Sequence, residues 1–270
     1  MQPTTTISEL RWEDHNDRQR YEVGLQGLNE RGEKLKASNK FKNVDGVWQP
    51  QEYKGYAIVS MLDANPGNEP LSENLVGLQQ QLATSMQLPR QLYMMPKASF
   101  HQTMVNTLSG YRFQAHIMDK GLEKEYPEII KNAMDKARPS PLSAPMQMHF
   151  SGIGIFGSAF GVLGMFQNSA YWNTVMQLRQ DMYGNPTLHQ YDIKRTRPFI
   201  AHITLGYIDG ELSPQHKQHF VEQLHEINTA TPFSDFVFHI ANTQLRSYDH
   251  LAEFVYKRNY PSYKFCGHAT

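Results

Sequence analysis

Apolar residues in this chain recur with two spacings. In short runs they fall at nearly every position or every second one, and in longer runs at every third or fourth. The switches between the two spacings mark a succession of strands and helices. Gly55-Tyr-Ala-Ile-Val-Ser-Met-Leu62 predicts a strand. Leu75, Leu78 and Leu82 predict a helix that opens near Pro70 with Ser72 as its N-cap. A strand is expected over 98–106. Tyr126, Ile129, Ile130 and Met134 share one face of a helix over 122–137, and two strands follow at 146–156 and 160–167. The last of these opens a second round: a helix over 169–184 burying Trp172, Val175, Met176 and Met182, a strand over 198–208, a helix over 213–229 opened by Ser213-Pro214, and strands at about 232–243 and 252–260.

The order strand, helix, strand, helix, strand, strand is thus expected twice, which points to an internal duplication at the level of elements. Short links between strands and singly placed helices predict an α+β fold. The expected form is bilobal and pseudo-twofold, with two antiparallel sheets flanking a central cleft and helices on the outer faces. Residues 51–270 form that domain. Residues 1–50 read as an N-terminal extension packed on it. There Tyr21, Leu25, Leu28 and Leu35 keep helical spacing, Gly24, Gly27 and Gly32 weaken the helix, and Phe41 to Trp48 makes a hairpin around Asp45-Gly46.

Two of the expected strands carry the same three-residue pattern, His101-Gln102-Thr103 and His202-Ile203-Thr204, about 100 residues apart. Side chains on a strand alternate faces, so each strand presents an imidazole and a hydroxyl side by side. If the strands face one another, one pocket holds two imidazoles and two hydroxyls. Histidine titrates near pH 6.5, so one ring can take a proton while the other gives one. The threonine hydroxyls can donate to phosphate oxygens. Such a set suits the breaking of a phosphodiester.

Composition narrows the substrate. Lys+Arg and Asp+Glu balance at 26 each, so no broad basic face for duplex nucleic acid is expected. A small nucleotide or short RNA remains open. The single cysteine, Cys266, rules out an internal disulfide framework and a Cys-based zinc site. No signal-like leader opens the chain and no apolar run approaches the ~20 residues of a membrane span. Together these fit a cytoplasmic protein, expected to be monomeric and to bind no membrane.

Other groups could extend the pocket. Lys97 and Ser99 share the parity of His101, and Lys97 could neutralise a phosphate or be a solvated lysine at a strand start. Tyr111 and Arg112 follow the first motif strand and could stack on a base and fork onto phosphate, or form a surface turn. Arg195 and Arg197 precede the second and could line the mouth. Phe166 and Tyr171 are weaker stacking candidates. Tyr207 has the opposite parity to His202 and reads as core. Gly152-Ile-Gly-Ile-Phe-Gly157 spells a dinucleotide fingerprint, but a turn and another strand are expected after it, not a helix. His216, His219 and His225 sit on a solvated helix face, without a carboxylate to complete a metal site.

The paired motifs, and above all Pro198-Phe-Ile-Ala-His-Ile-Thr-Leu-Gly-Tyr-Ile208, resemble the 2H phosphoesterase superfamily, which includes cyclic and RNA 2′,3′-cyclic phosphodiesterases. The likeness covers about residues 50–262. Asn39 to Trp48 leading into Tyr56 to Leu62 is similar to a less characterised bacterial branch. The resemblance implies His101 and His202 as base and acid in an order left open, Thr103 and Thr204 as phosphate ligands, and no metal or cofactor. Gln102 departs from it, since the middle residue is usually apolar. The reaction it implies is hydrolysis of a cyclic phosphate or short nucleotide phosphodiester, a 2′,3′-cyclic phosphate before others. Cleavage of a cyclic-nucleotide or oligoadenylate signal, and a non-catalytic nucleotide or RNA-end binding module, are the alternatives.

Overall fold

Gly24 splits the N-terminal amphipathic stretch in two. In the computed structural model, which describes residues 7–85 and 91–266, helix α1 (Trp12–Val23) ends where α2 (Leu25–Glu33) begins, with Gly24 extended between them. The turn is tight: a Cβ on Gly27 would lie 2.2 Å from the Tyr21 carbonyl oxygen. The glycines that weaken one long helix therefore permit two short ones. The hairpin follows as β1 (Phe41–Val44) and β2 (Val47–Pro50), turning through Asp45 and Gly46, both at positive φ.

The remaining elements run β3 (Gly55–Met61), α3 (Glu69–Ser85), β4 (Leu92–Met94), β5 (His101–Ser109), α4 (Gly110–Phe113), α5 (Tyr126–Met134), β6 (Met146–Phe156), β7 (Ala159–Phe166), α6 (Ser169–Tyr183), α7 (Pro186–His189), β8 (His202–Ile208), α8 (Pro214–Ala230), β9 (Val237–Ile240), β10 (Asn242–Tyr248) and β11 (Ser262–Lys264). Beyond the hairpin the described residues form two antiparallel sheets, ordered β11-β10-β3-β5 and β4-β8-β7-β6-β9. The fold is α+β, with antiparallel sheets and packed helices. The halves exchange strands. β6 follows the first motif strand but joins the sheet of the second, and β10 ends the second half but joins the sheet of the first. Likewise α3 packs on β8 and α6 on β5. Among the described residues no helix is long and apolar enough to cross a membrane.

Several boundaries differ from expectation. Ser72 lies inside the first turn of α3, which opens at Glu69. Residues 97–99 form a 3₁₀ turn, not the start of a strand. Pro232 precedes another 3₁₀ turn, so the strand expected over 232–243 is two short strands, β9 and β10. Segment 252–260 is loop, and its backbone meets β10 at an isolated bridge between Ser247 and Val255. The stretch 198–201 is extended but outside the ladder. There the N-terminal segment supplies partners: Phe199 N–H donates to Glu9 (2.6 Å), Ala201 N–H donates to His15 Nε2 (3.3 Å), and the Gln19 amide joins the Gly164 N–H of β7 in donating to the Ala201 carbonyl (2.7 and 2.8 Å). Three side chains before residue 20 thus fix the approach to His202. Gly152 to Phe156 belong to β6 and Gly157 opens the turn into β7, so no helix follows the glycines.

Candidate active site

Both motif strands show one burial rhythm. In β5, His101, Thr103 and Asn106 are half-exposed while Gln102, Met104 and Val105 are buried. In β8, His202, Thr204 and Tyr207 are half-exposed while Ile203, Leu205 and Gly206 are buried. Alternation alone cannot give this pattern. Each strand carries a bulge just after its threonine: the ladder jumps from Thr103 to Val105 against β3, and from Thr204 to Gly206 against β7. One extra residue reverses the parity beyond it. Tyr207 therefore lies on the same side as His202 and Thr204, not in the core.

An extra residue leaves backbone groups without a ladder partner. Helix side chains take up the bulge carbonyls in both places. The Met104 carbonyl accepts from Arg179 of α6 (2.6 Å), whose side chain is fully buried and paired with Glu9 (2.7 Å). The Leu205 carbonyl, which also accepts from the Met95 N–H next to β4 (2.9 Å), accepts from the buried Gln79 amide of α3 (2.8 Å). Strand stiffness and these helix anchors hold the motif residues in place.

The two imidazoles are set alike. His101 Nδ1 lies 2.7 Å from the Ser99 carbonyl, and His202 Nδ1 lies 2.9 Å from the Ile200 carbonyl. A carbonyl only accepts, so each Nδ1 carries the proton and each Nε2 is the nitrogen left for chemistry. Each ring is covered by a phenylalanine, His101 by Phe254 at 4.2 Å between centroids and His202 by Phe156 at 4.7 Å. Burial pushes both imidazoles down to about 4. The Ser99 and Ile200 carbonyls oppose that shift, while Arg246 beside His101 and Arg197 beside His202 add to it. A proton on His101 would disfavour one on His202.

What joins the strands is Gln102. Its side chain is fully buried, its Oε1 accepts from His202 N–H at 2.5 Å, and its Nε2 donates to the Thr103 carbonyl at 2.7 Å. β5 and β8 belong to different sheets, so this amide sets one motif against the other. The polar residue that departs from the usual apolar middle position is the link between the two halves of the site.

The flanking candidates separate. The Arg197 guanidinium is exposed and acts on His202 and Tyr207. Lys97 pairs with Glu73 of α3, outside the His101 row. Arg112 is held by Asp192 through its carboxylate (3.0 Å) and its carbonyl. Tyr111, 85% exposed, lies past the far end of β5. Arg195 is tied to Glu9 and to the Ile7 carbonyl. Phe166 is fully buried in the core. Arg246, Phe254 and Phe156 were not legible as site residues, although the polar alternation of Gln244 and Arg246 around the buried Leu245 marks a strand face that sees solvent. Among the described residues no three His, Cys, Asp or Glu side chains cluster as metal ligands.

No family model and no curated protein matches the chain. Among solved structures it is similar to the conserved protein of unknown function ATU0111 from Agrobacterium tumefaciens. The TM-score is 0.56 at 14% identity, over 88% of this chain and 96% of that one. It also matches TT0787 of Thermus thermophilus with a TM-score of 0.43, at 15% identity over 73% of this chain and 87% of that one. E. coli LigT in apo form gives a TM-score of 0.42, at 11% identity over 77% of this chain and 95% of that one. At these identities likeness speaks to fold, and the ATU0111 match shows that this chain shares its fold.

Proposed function

We propose that this chain is a 2H-type phosphodiesterase that hydrolyses a cyclic phosphate or a short nucleotide phosphodiester, a 2′,3′-cyclic phosphate first among them. His101 and His202 are general acid and base, and Thr103 and Thr204 hold the phosphate. One observation carries the reading: two imidazoles on different sheets, each with Nδ1 tied to the carbonyl two residues back, each with Nε2 unbonded among the described residues, and each beside a threonine.

In the reaction one neutral imidazole takes a proton from water through Nε2. The water oxygen bonds to phosphorus, and the bond to the ribose 2′ or 3′ oxygen breaks. The second imidazole, protonated, gives its Nε2 proton to that departing oxygen. The product is a phosphate monoester, and the two rings have exchanged protonation states. In the free protein both rings favour the neutral form, because burial disfavours charge. An anionic phosphate between them offsets that and raises the ring that must act as acid. Each proton transfer contributes about 10²–10⁴ in rate. Of the flanking groups, Arg197 is the one that also fits a role at the phosphate, since Lys97 and Arg112 already have acidic partners.

The test is hydrolysis of 2′,3′-cyclic nucleotides in EDTA. We expect turnover that falls by about 10²–10⁴ in His101→Ala and in His202→Ala separately. Loss of turnover in EDTA removes the metal-free mechanism. Nucleotide binding by the intact chain with no turnover across a broad phosphodiester panel makes it a binding module.

A further inference from the structure

Arg246 is a half-buried cation whose partners are all neutral. Its Nε and Nη2 donate to Gln244 Oε1 at 3.2 and 2.8 Å, its Nη1 donates to the Phe254 carbonyl at 3.1 Å, and its guanidinium lies 5.4 Å from the Tyr256 ring. The Asp63 carboxylate and the Tyr256 hydroxyl act on it only through space, and no carboxylate of the described residues comes within 4.0 Å. Other arginines are neutralised: Arg18, Arg31, Arg112, Arg179 and Arg195 each pair with an acid. Burial disfavours the charge of Arg246 and lowers its pKa. A guanidinium fixed by an amide and a carbonyl keeps its whole charge, and the desolvation it suffers is offset when an anion arrives.

Its place on the sheet says where that anion sits. Arg246 pairs with Ala57 of β3, and on the same strand Val59 pairs with Thr103 and Met61 with His101. Paired residues share a face, so Arg246, Thr103 and His101 project from one side of the first sheet. The Phe254 carbonyl that fixes the guanidinium belongs to the residue whose ring covers His101. Arg197, in the segment that leads into β8, is exposed, acts on His202 through space and, among the described residues, has no acid within 4.0 Å.

We propose that Arg246 is a substrate-binding residue, the guanidinium ligand of the non-bridging oxygens of a phosphate held beside His101, with Arg197 as its counterpart beside His202. This deepens the phosphodiesterase reading and rests on it for the identity of the ligand. It also separates two duties: the threonines orient the phosphate, and the two arginines supply its countercharge.

Binding of adenosine 2′-monophosphate to the full chain tests it without requiring turnover. In Arg246→Gln the Kd should rise about tenfold or more, and the salt dependence of binding should weaken, because one countercharge is lost. Arg246→Lys, which keeps the charge and loses the fork, should fall between that variant and the unaltered protein. The NMR resonance of Arg246 Nε–H in the unaltered protein should move on nucleotide addition, a readout that holds even if the glutamine variant fails to fold. An unchanged Kd and salt slope in Arg246→Gln, or an Nε–H signal that stays put at saturation, overturns the proposal and leaves Arg246 as a brace for the Phe254 loop. Arg246-dependent binding without turnover of any phosphodiester refutes the enzymatic reading alone. Normal turnover with unchanged KM in Arg246→Gln refutes the arginine alone.

Discussion

The backbone N–H of His202 donates to the side-chain oxygen of Gln102 at 2.5 Å. This bond ties the two motif strands, which belong to different sheets. It begins at one catalytic candidate and ends next to the other, and its acceptor is fully buried. Gln102→Leu keeps the size and removes the acceptor. Leaving a part-buried N–H unsatisfied costs about 1–3 kcal/mol. Urea unfolding should show a loss of that size. Turnover should fall through kcat more than KM, since the two imidazoles lose their mutual register while the threonines remain. Unchanged stability and kcat would show that the bond fixes nothing.

Acid should destabilise this protein earlier than its carboxylates alone require. His101, His202 and His15 are all held down to about 4 by burial, against about 6.5 in an unfolded chain. Between those values the unfolded state binds protons that the native state does not, so stability is lost as pH falls from about 6.5 towards 4. Urea midpoints measured across that range should decline. In a His101→Gln, His202→Gln double variant the decline should be shallower, with the contribution of His15 left.

The same shift predicts proton uptake on binding. Near pH 6 both active-site rings of the free protein are mostly neutral, and an anionic phosphate raises at least one of them. Calorimetric titration with adenosine 2′-monophosphate in buffers of different ionisation enthalpy should show net proton uptake. His101→Ala and His202→Ala should each reduce it. Binding with no proton exchange at pH 6 would contradict the neutral resting state.

Phe254 packs on the His101 ring at 4.2 Å. Phe254→Ala should admit water, relieve the desolvation and raise the His101 pKa towards 6.5. An NMR titration of the imidazole protons would read this directly. His202, covered by Phe156, should move much less, and that contrast separates a local effect from general loosening.

The hairpin of the N-terminal segment is also testable. Phe41 is buried, stacks on Tyr93 at 3.8 Å and lies 5.1 Å from Tyr207. Truncation of a buried phenylalanine costs about 3–5 kcal/mol, and Phe41→Ala should lower the melting temperature accordingly. A negligible change would mean that the hairpin is not part of the cooperative unit.

Much of this protein was legible from local patterns, because local patterns are what one sequence records. Leu75, Leu78 and Leu82 marked a helix, and Ser213-Pro214 marked the start of another. His-x-Thr on two apolar strands fixed which imidazole stands beside which hydroxyl, since that follows from strand periodicity. Other features depend on residues far apart in the chain. A bulge needs a partner strand to be defined, so Tyr207 was assigned to the wrong face by simple alternation. The segment 198–201 was expected to pair as a strand, but Glu9, His15 and Gln19 bond its backbone groups from 182 to 190 residues away. Arg246 enters the first sheet only because β10 crosses back from the second half, and Gln102 looked out of place until His202 came within reach of it. Periodicity dictates which way a side chain points along its own element. Which elements meet, and so which charges and hydrogen bonds face each other, is settled by burial of the whole chain at once.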